Sequence, residues 1–409
     1  MPQMQNQVAV RFLDRTSPPH ILTLVLVAGL AAMSMSVFLP SLPGMTAYFE
    51  TDYAVMQFAV SGYLATTALL QLFVGPVSDR FGRRPVIMGS ILIFILATIG
   101  CLLSTSVEMF LVFRMIQGAI ATGLVLSRAT VRDMVTEREA ASMIGYVTMG
   151  MALVPMFAPM IGGALDEAFG WQATFVFLVL SGSLVLALVW ADQGETLIRT
   201  GQSFRQQVTD YPELLRSRRF WGYVFASAFA SGAFFAYLGG APYVATQVFN
   251  LAPGLTGILL GLPALGYAAG NFLTGRYTLR HGIDRMILWG TIISTLGMAL
   301  SIAVTFAGFG GAYAFFGFCT FIGLGNGMVM PNSASGMLSV RPHLAGTASG
   351  LGSAIMIGGG AAMSSGAGAL LVGSSSSLPL QWIMFATSAA SILAILHVIR
   401  RNQSLVAEA

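Results

Sequence analysis

Asp79, Arg80, Arg83 and Arg84 fall within six residues, in the stretch Gly75-Pro76-Val77-Ser78-Asp79-Arg80-Phe81-Gly82-Arg83-Arg84, with a long apolar run on each side. A carboxylate set among guanidinium groups is equipped for reversible ion pairing. Arg grips carboxylates through parallel N–H donors, and Asp accepts from basic groups or from a helix N-terminus. That is chemistry for closing and releasing a contact. For making and breaking covalent bonds the inventory is thin. His20, His281, His343 and His397 stand apart from one another, and Cys101 and Cys319 sit inside apolar runs, where a thiol packs as a small core group. No glycine loop followed by Lys offers a cradle for phosphate. Neither an enzyme active site nor an ATP-driven pump is expected, and no cofactor or metal.

The charged stretch fits a short loop at a membrane surface, because hydrocarbon does not tolerate it and its neighbours are too apolar for water. The whole chain supports this. Of 409 residues, 56% are hydrophobic and 9% charged, against about 25% charged in soluble domains; the mean hydropathy is +0.77. Apolar stretches of about 20 residues, enough to span a bilayer as a helix, alternate with short polar connections. They are too long and too uniformly apolar for barrel strands. Twelve spans are predicted, at 20–46, 54–75, 86–105, 108–129, 140–164, 171–191, 220–246, 255–275, 286–307, 312–335, 345–372 and 380–399. The chain is therefore read as an all-α polytopic membrane protein.

Every basic residue is Arg, and with the N-terminus inside, all but Arg114 fall on one side of these spans. The excess of positive charge on cytoplasmic loops puts that side, and both termini, in the cytoplasm. The net charge of +4 is thus a topology signal and no argument for nucleic acid. The polar N-terminal residues run straight into the first span, with no cleavable signal peptide expected.

The longest polar segment, 192–219, separates a six-span half (1–191) from a second (220–409), and carries a surface helix near Gln206–Leu215. At an offset of 200 residues, Gly75-x-x-x-Asp79-Arg80-Phe81-Gly82 aligns with Gly275-x-x-x-Leu279-Arg280-His281-Gly282. The second copy has lost its acid but kept the glycine frame and one Arg. Two such halves about an axis along the membrane normal are one way transporters are built.

The 75–84 stretch resembles the signature loop of the major facilitator superfamily at every characteristic position. The resemblance implies two pseudo-symmetric six-helix bundles, and a gating clasp made by Gly75, Asp79, Arg80, Gly82, Arg83 and Arg84. Phe113-Arg114-Met115-Ile116-Gln117-Gly118 resembles the family's fourth-span motif, whose membrane-embedded Arg takes part in proton coupling or substrate binding. A charge at that depth costs about 2.5–3.5 kcal/mol on insertion scales, so Arg114 should face a cavity; the alternative is that it snorkels to the outer surface past Glu108. Ala158-Pro159-Met160-Ile161-Gly162-Gly163 resembles the proline-glycine motif of the superfamily's exporters, with Ala158 where the motif has Gly. Pro159 and Pro155 bend that helix, and Gly162 and Gly163 permit close packing against the other half.

Phe38-Leu39-Pro40-Ser41-Leu42-Pro43, Arg128-Ala129-Thr130-Val131-Arg132-Asp133 and Ala345-Gly346-Thr347-Ala348-Ser349-Gly350 are together similar to drug:proton antiporters of the bicyclomycin- and chloramphenicol-resistance type. This resemblance implies a monomeric inner-membrane exporter of small amphiphilic drugs, driven by protons. One departure matters: the group's first-span Asp, its usual proton site, is Ser36 here. The remaining acids lie near span ends, and Glu50, Asp52, Asp79 and Asp133 are the nearest substitutes; Arg114 and Asp133 are the proton-coupling candidates.

Substrate is expected near the bilayer midplane, between the halves. Ser36, Phe38, Arg114, Gln117, Tyr237, Asn271 and Asn332 are the binding candidates, with Gln57, Tyr63, Tyr146, Tyr267 and Asn326 as further polar or aromatic lining. An Arg in a cavity lacking a carboxylate favours an anionic or acceptor-rich substrate over a lipophilic cation. The competing reading is a carrier for an organic anion or zwitterion with different or no proton coupling, which the loss of the first-span acid favours.

Overall fold

The computed structural model describes residues 10–135, 157–197, 214–341 and 345–408, with the single positions 143, 147 and 154. The first group of helices is α1 (Ile21–Tyr48), α2 (Tyr53–Phe81), α3 (Arg83–Leu102), α4 (Val107–Met134), α5 (157–169) and α6 (Gln172–Asp192). The second is α7 (Arg218–Val248), α8 (Pro253–His281), α9 (Ile283–Phe309), α10 (Ala312–Val340), α11 (Gly350–Leu371) and α12 (Leu378–Gln403). All but α5 are long and apolar enough to cross a bilayer, which makes eleven among the described residues. The predicted span at 140–164 lies largely outside them, as do Pro155, Tyr146 and most of the predicted surface helix near Gln206–Leu215. The fold is all-α and polytopic, with no strand among the described residues.

The helices begin and end where the local chemistry requires. The Ser106 side chain accepts from the Met109 amide and starts α4; Ser217 does the same for Phe220 at the start of α7. Pro40 and Pro43 break α1 into a short 3₁₀ turn followed by a last helical stretch. Pro76, Pro242 and Pro331 lie inside α2, α7 and α10.

The signature stretch is helical through Phe81, and the connection predicted there as a loop is a single residue. Gly82 carries φ 100° and ψ 155°, and its N–H reaches back to the Ser78 carbonyl at 2.8 Å. Gly282 repeats this turn with φ 82°, ψ 159° and a 2.8 Å bond to the Thr278 carbonyl. Only glycine occupies that backbone region comfortably. The sequence repeat is therefore a repeat of a turn, kept where the charges were not.

Asp192 ends α6 fully buried. Its carboxylate accepts from Leu13 N (2.7 Å), His20 N (2.8 Å) and Thr23 Oγ1 (2.6 Å), which fastens the residues ahead of α1 to the same end of the bundle. At the opposite end, Phe49, Phe110, Trp171 and Phe175 pack ring against ring, with centroids 5.4–6.2 Å apart, beside the start of α4.

Candidate functional site: a cavity between the two groups of helices

A cavity of about 530 Å³ lies between the two groups of helices. One wall is a stripe on α2 with a spacing of four residues: Tyr63, Thr67, Gln71, Gly75 and Asp79 all face it. Arg128 and Arg132, one turn apart on α4, continue this wall, and Phe234, Phe235, Leu260, Tyr267, Asn326 and Ile357 form the facing one. The cavity reaches the Arg-rich end of the molecule at Asp79, Arg83 and Arg132, where Asp79 and Arg132 are exposed. Its deep part, at Ala31, Met35, Leu238 and Leu260, is apolar.

Beyond that apolar floor the helices meet. A Cβ on Gly163 would collide with the Pro253 carbonyl of α8, and one on Gly257 of α8 with the Pro159 carbonyl of α5, so backbone lies directly on backbone. Gly162 lies as close to the Val37 carbonyl of α1. Hydrogen bonds complete the seal. Tyr53 Oη donates to the Gly239 carbonyl (2.8 Å), Gln57 Nε2 to Ser364 Oγ (2.8 Å), and the Gly254 amide to Glu167 Oε2 (3.0 Å). The last places a carboxylate at the N-terminus of α8, where the helix dipole favours it.

At the Arg-rich end Arg83 of the signature stretch pairs both within the stretch and with an acid of α4. Arg83 sits between two carboxylates, with Nη1 2.7 Å from Asp79 Oδ1 and Nε 2.9 Å from Asp133 Oδ2. Its Nη1 also donates to Ser78 Oγ. The Glu195 carboxylate accepts from Arg83 N (2.9 Å) and Arg84 N (3.2 Å), capping α3, while Arg84 Nη2 reaches the Trp190 carbonyl (2.9 Å). Arg80 lies over the Phe81 ring. Each of these partners belongs to the first group of helices or the residues just after α6. Glu195 and Asp192 went unmarked in the sequence, since nothing local distinguishes them from other linker acids.

Arg114 is fully buried within the first group. Nε donates to the Ala59 carbonyl (3.0 Å), Nη2 to the Ser34 carbonyl (2.9 Å), and Nη1 to Ser34 Oγ (3.3 Å) and to Gln117 Oε1. The guanidinium is stacked between the Phe38 and Tyr63 rings, each centroid 4.2 Å away. Gln117 passes the chain of bonds to Thr98 Oγ1 on α3 (2.7 Å). Arg114 does not snorkel. Phe110, one turn earlier, is held in the aromatic cluster, and the guanidinium points inward to α1 and α2.

The binding candidates chosen by residue type stand behind the cavity wall. Ser36 Oγ bonds the Ala32 carbonyl, Phe38 and Gln117 hold Arg114, and Tyr237 Oη reaches the Leu260 carbonyl (3.2 Å). Asn271 donates to the Tyr267 carbonyl, and Asn332 joins α10 to Thr274 and Thr278 of α8. None of these, nor Arg114, contributes to the wall; Tyr63, Tyr267 and Asn326 do, and Gln57 lies in the seal. Thr67 and Gln71 were missed, though the four-residue stripe running down to Asp79 could have revealed them.

The description that fits this geometry is Major Facilitator Superfamily, whose family model matches residues 24–365. The chain belongs to the Major Facilitator Superfamily. It is a transporter, as members of this superfamily are, and takes a small molecule as its substrate. It is 31% identical over 378 residues (90% of this chain, 92% of the relative) to an uncharacterized MFS-type transporter, YdgK, of Bacillus subtilis. It is 26% identical over 386 residues (93% and 96%) to a bicyclomycin resistance protein homolog of Haemophilus influenzae. Over 241 residues (58% and 54%) it is 32% identical to a chloramphenicol resistance protein of Pseudomonas aeruginosa. Among solved structures, a D-xylose-proton symporter superposes with a TM-score of 0.73 at 14% identity, covering 92% of this chain and 96% of that one, which supports the major facilitator fold.

Proposed function

We propose that this superfamily member exports small amphiphilic molecules across the inner membrane in exchange for protons, by alternating access. The observation that carries the reading is the cavity itself: open at the Arg-rich end, sealed backbone to backbone at the other. With the Arg-rich end cytoplasmic, as the positive-inside rule requires, the cavity would collect substrate from the cytoplasm and the inner leaflet. Similarity to relatives named for chloramphenicol and bicyclomycin resistance supports drug-like cargo. The reading includes halves at 1–191 and 220–409 joined by the linker 192–219, both termini inside, and action as a monomer.

In this scheme Pro159, Gly162 and Gly163 form the outer seal, and Gly75, Asp79, Arg80, Gly82, Arg83 and Arg84 the cytoplasmic gate. Asp133, which shares Arg83 with Asp79, and the buried Arg114 are the proton-coupling residues of this scheme. Ser36, Phe38, Gln117, Tyr237, Asn271 and Asn332 act on substrate by holding the wall from behind. Asp79→Asn leaves Arg83 with one carboxylate. It is expected to cripple efflux at unchanged membrane levels of protein; efflux and immunoblot together check this, and undiminished efflux would remove Asp79 from the gate.

A second reading, a carrier for an organic anion or zwitterion, is favoured by Ser36 and by the pairing of Asp79, the one carboxylate among the described residues of the cavity wall, with Arg83. Everted membrane vesicles separate the two. Proton exchange predicts that chloramphenicol accumulates only with an acid interior, and that its addition dissipates the pH gradient. Accumulation indifferent to the gradient would end the antiport reading.

A further inference from the structure

Arg84 and Arg15 meet at Trp190, in the last turn of α6. Arg84 Nη2 donates to the Trp190 carbonyl at 2.9 Å, and the Arg15 guanidinium lies over the Trp190 ring, 5.6 Å from its centroid. Arg15 is held in place by its backbone. It belongs to the segment ahead of α1, which Asp192 fastens to the bundle and whose Ser17 carbonyl accepts from Gly194 N at 3.0 Å. Among the described residues neither guanidinium has a carboxylate partner. The acids close by in the chain are engaged otherwise: Glu195 with the amides of Arg83 and Arg84, and Asp14 with Thr16.

An apolar groove of about 430 Å³ leads away from this point along the flank of α3 and α6. Helix periodicity aligns it with the charges, since Arg84, Met88 and Leu92 recur every four residues on α3. Leu186, Ala187 and Trp190 form the side on α6. The two helices are packed directly together, for a Cβ on Gly182 would press on Phe94 and Ile95. Gly89 leaves the groove open above that contact: a Cβ there meets nothing within 4 Å. Leu92 and Trp190 are both exposed, so this flank faces the hydrocarbon of a bilayer, with Trp190 at the head-group level. From Arg84 to Leu92 the groove runs about 12 Å into the membrane.

Any lipid chain suits such a groove; the two arginines choose the head group. A guanidinium fork matches phosphate. With no acid answering either arginine, a lipid of net negative charge is favoured over a zwitterionic one, whose own ammonium competes for its phosphate. We propose that Arg15, Arg84 and the groove between α3 and α6 bind one anionic phospholipid, with its phosphate between the two guanidinium groups and one acyl chain along Met88, Gly89 and Leu92. The lipid ties the segment ahead of α1 to the start of α3. The site shares no residue with the cavity wall and takes nothing from the export reading.

Native mass spectrometry of the purified, delipidated full-length protein tests it, by titration with phosphatidylglycerol and with phosphatidylethanolamine of the same acyl chains. The first phosphatidylglycerol is expected to bind about tenfold more tightly than the first phosphatidylethanolamine. Arg15→Gln should remove most of that preference and leave phosphatidylethanolamine as it was. Gly89→Leu fills the groove with a better helix former. It should weaken both lipids severalfold, while its melting temperature in lipid-free detergent stays at or above that of the parent. Equal affinity of the parent for the two lipids overturns the proposal, as does either variant binding phosphatidylglycerol as tightly as the parent.

Discussion

Arg114→Ala is expected to abolish transport and to lower the melting temperature together. The guanidinium holds α4 to α1 through Ser34 and Phe38, and to α2 through Ala59 and Tyr63. Removing it takes charge-assisted hydrogen bonds from the Ala59 and Ser34 carbonyls and leaves the Gln117 amide oxygen unpaired in a dry interior, at about 1–3 kcal/mol each. Two stacked rings also lose a desolvated cation, an interaction of about 2 kcal/mol. These losses exceed what is regained by not burying the charge, about 2.5–3.5 kcal/mol on insertion scales. Arg114→Lys separates fork geometry from charge. Its ammonium cannot serve Ala59, Ser34 and Gln117 at once, so it should retain part of the stability and little of the transport. Thermal unfolding in detergent and efflux in cells measure the two effects, and full efflux by Arg114→Ala would show that the arginine is dispensable.

Gly163→Val should arrest the cycle without unfolding the protein. The backbone of α8 occupies the place its side chain needs, so the clash falls on an unyielding carbonyl at Pro253 and is relieved only by parting α5 from α8. That parting opens the sealed end. Transport is expected to fall by about tenfold or more, since a seal weakened by 1.4 kcal/mol already shifts its equilibrium tenfold. A cysteine at Ser364, inside the seal against Gln57, reports the opening. It should resist a membrane-impermeant thiol reagent in the parent and react in Gly163→Val. Both native thiols are buried, so the background is low. Protection of the Ser364→Cys thiol in the Gly163→Val background would place the effect elsewhere.

The architecture was legible because bilayer physics writes it in composition: apolar runs, a one-sided Arg bias, and Gly or Pro at the breaks. The signature stretch was misjudged locally, as a loop. A helix can carry Asp79 and Arg80 through its last turn when that turn emerges from the bilayer, and only Gly82 must leave helical geometry. At the cavity, residues picked for polarity alone were drawn behind the wall. Asn271 and Asn332 sit among helices whose backbones and hydroxyls compete for them. Facing direction was the better guide, since the stripe from Tyr63 to Asp79 follows from helix periodicity. The partners of Arg114, and the roles of Glu195 and Asp192, depend on contacts between segments far apart in the chain, which no local pattern encodes.

The two ends of the cavity are made of different material. The sealed end is backbone against backbone with a few short hydrogen bonds, and Glu167 is the one charge among the contacts described there. The open end is a network of full charges whose Asp79 side chain is 39% exposed. Dissolved ions screen charges over about 8 Å at physiological strength and leave steric contact untouched. Ionic strength therefore acts on one end and not the other. Under the proposed alternating-access cycle, a change in ionic strength would shift the balance between states through the end that is charged.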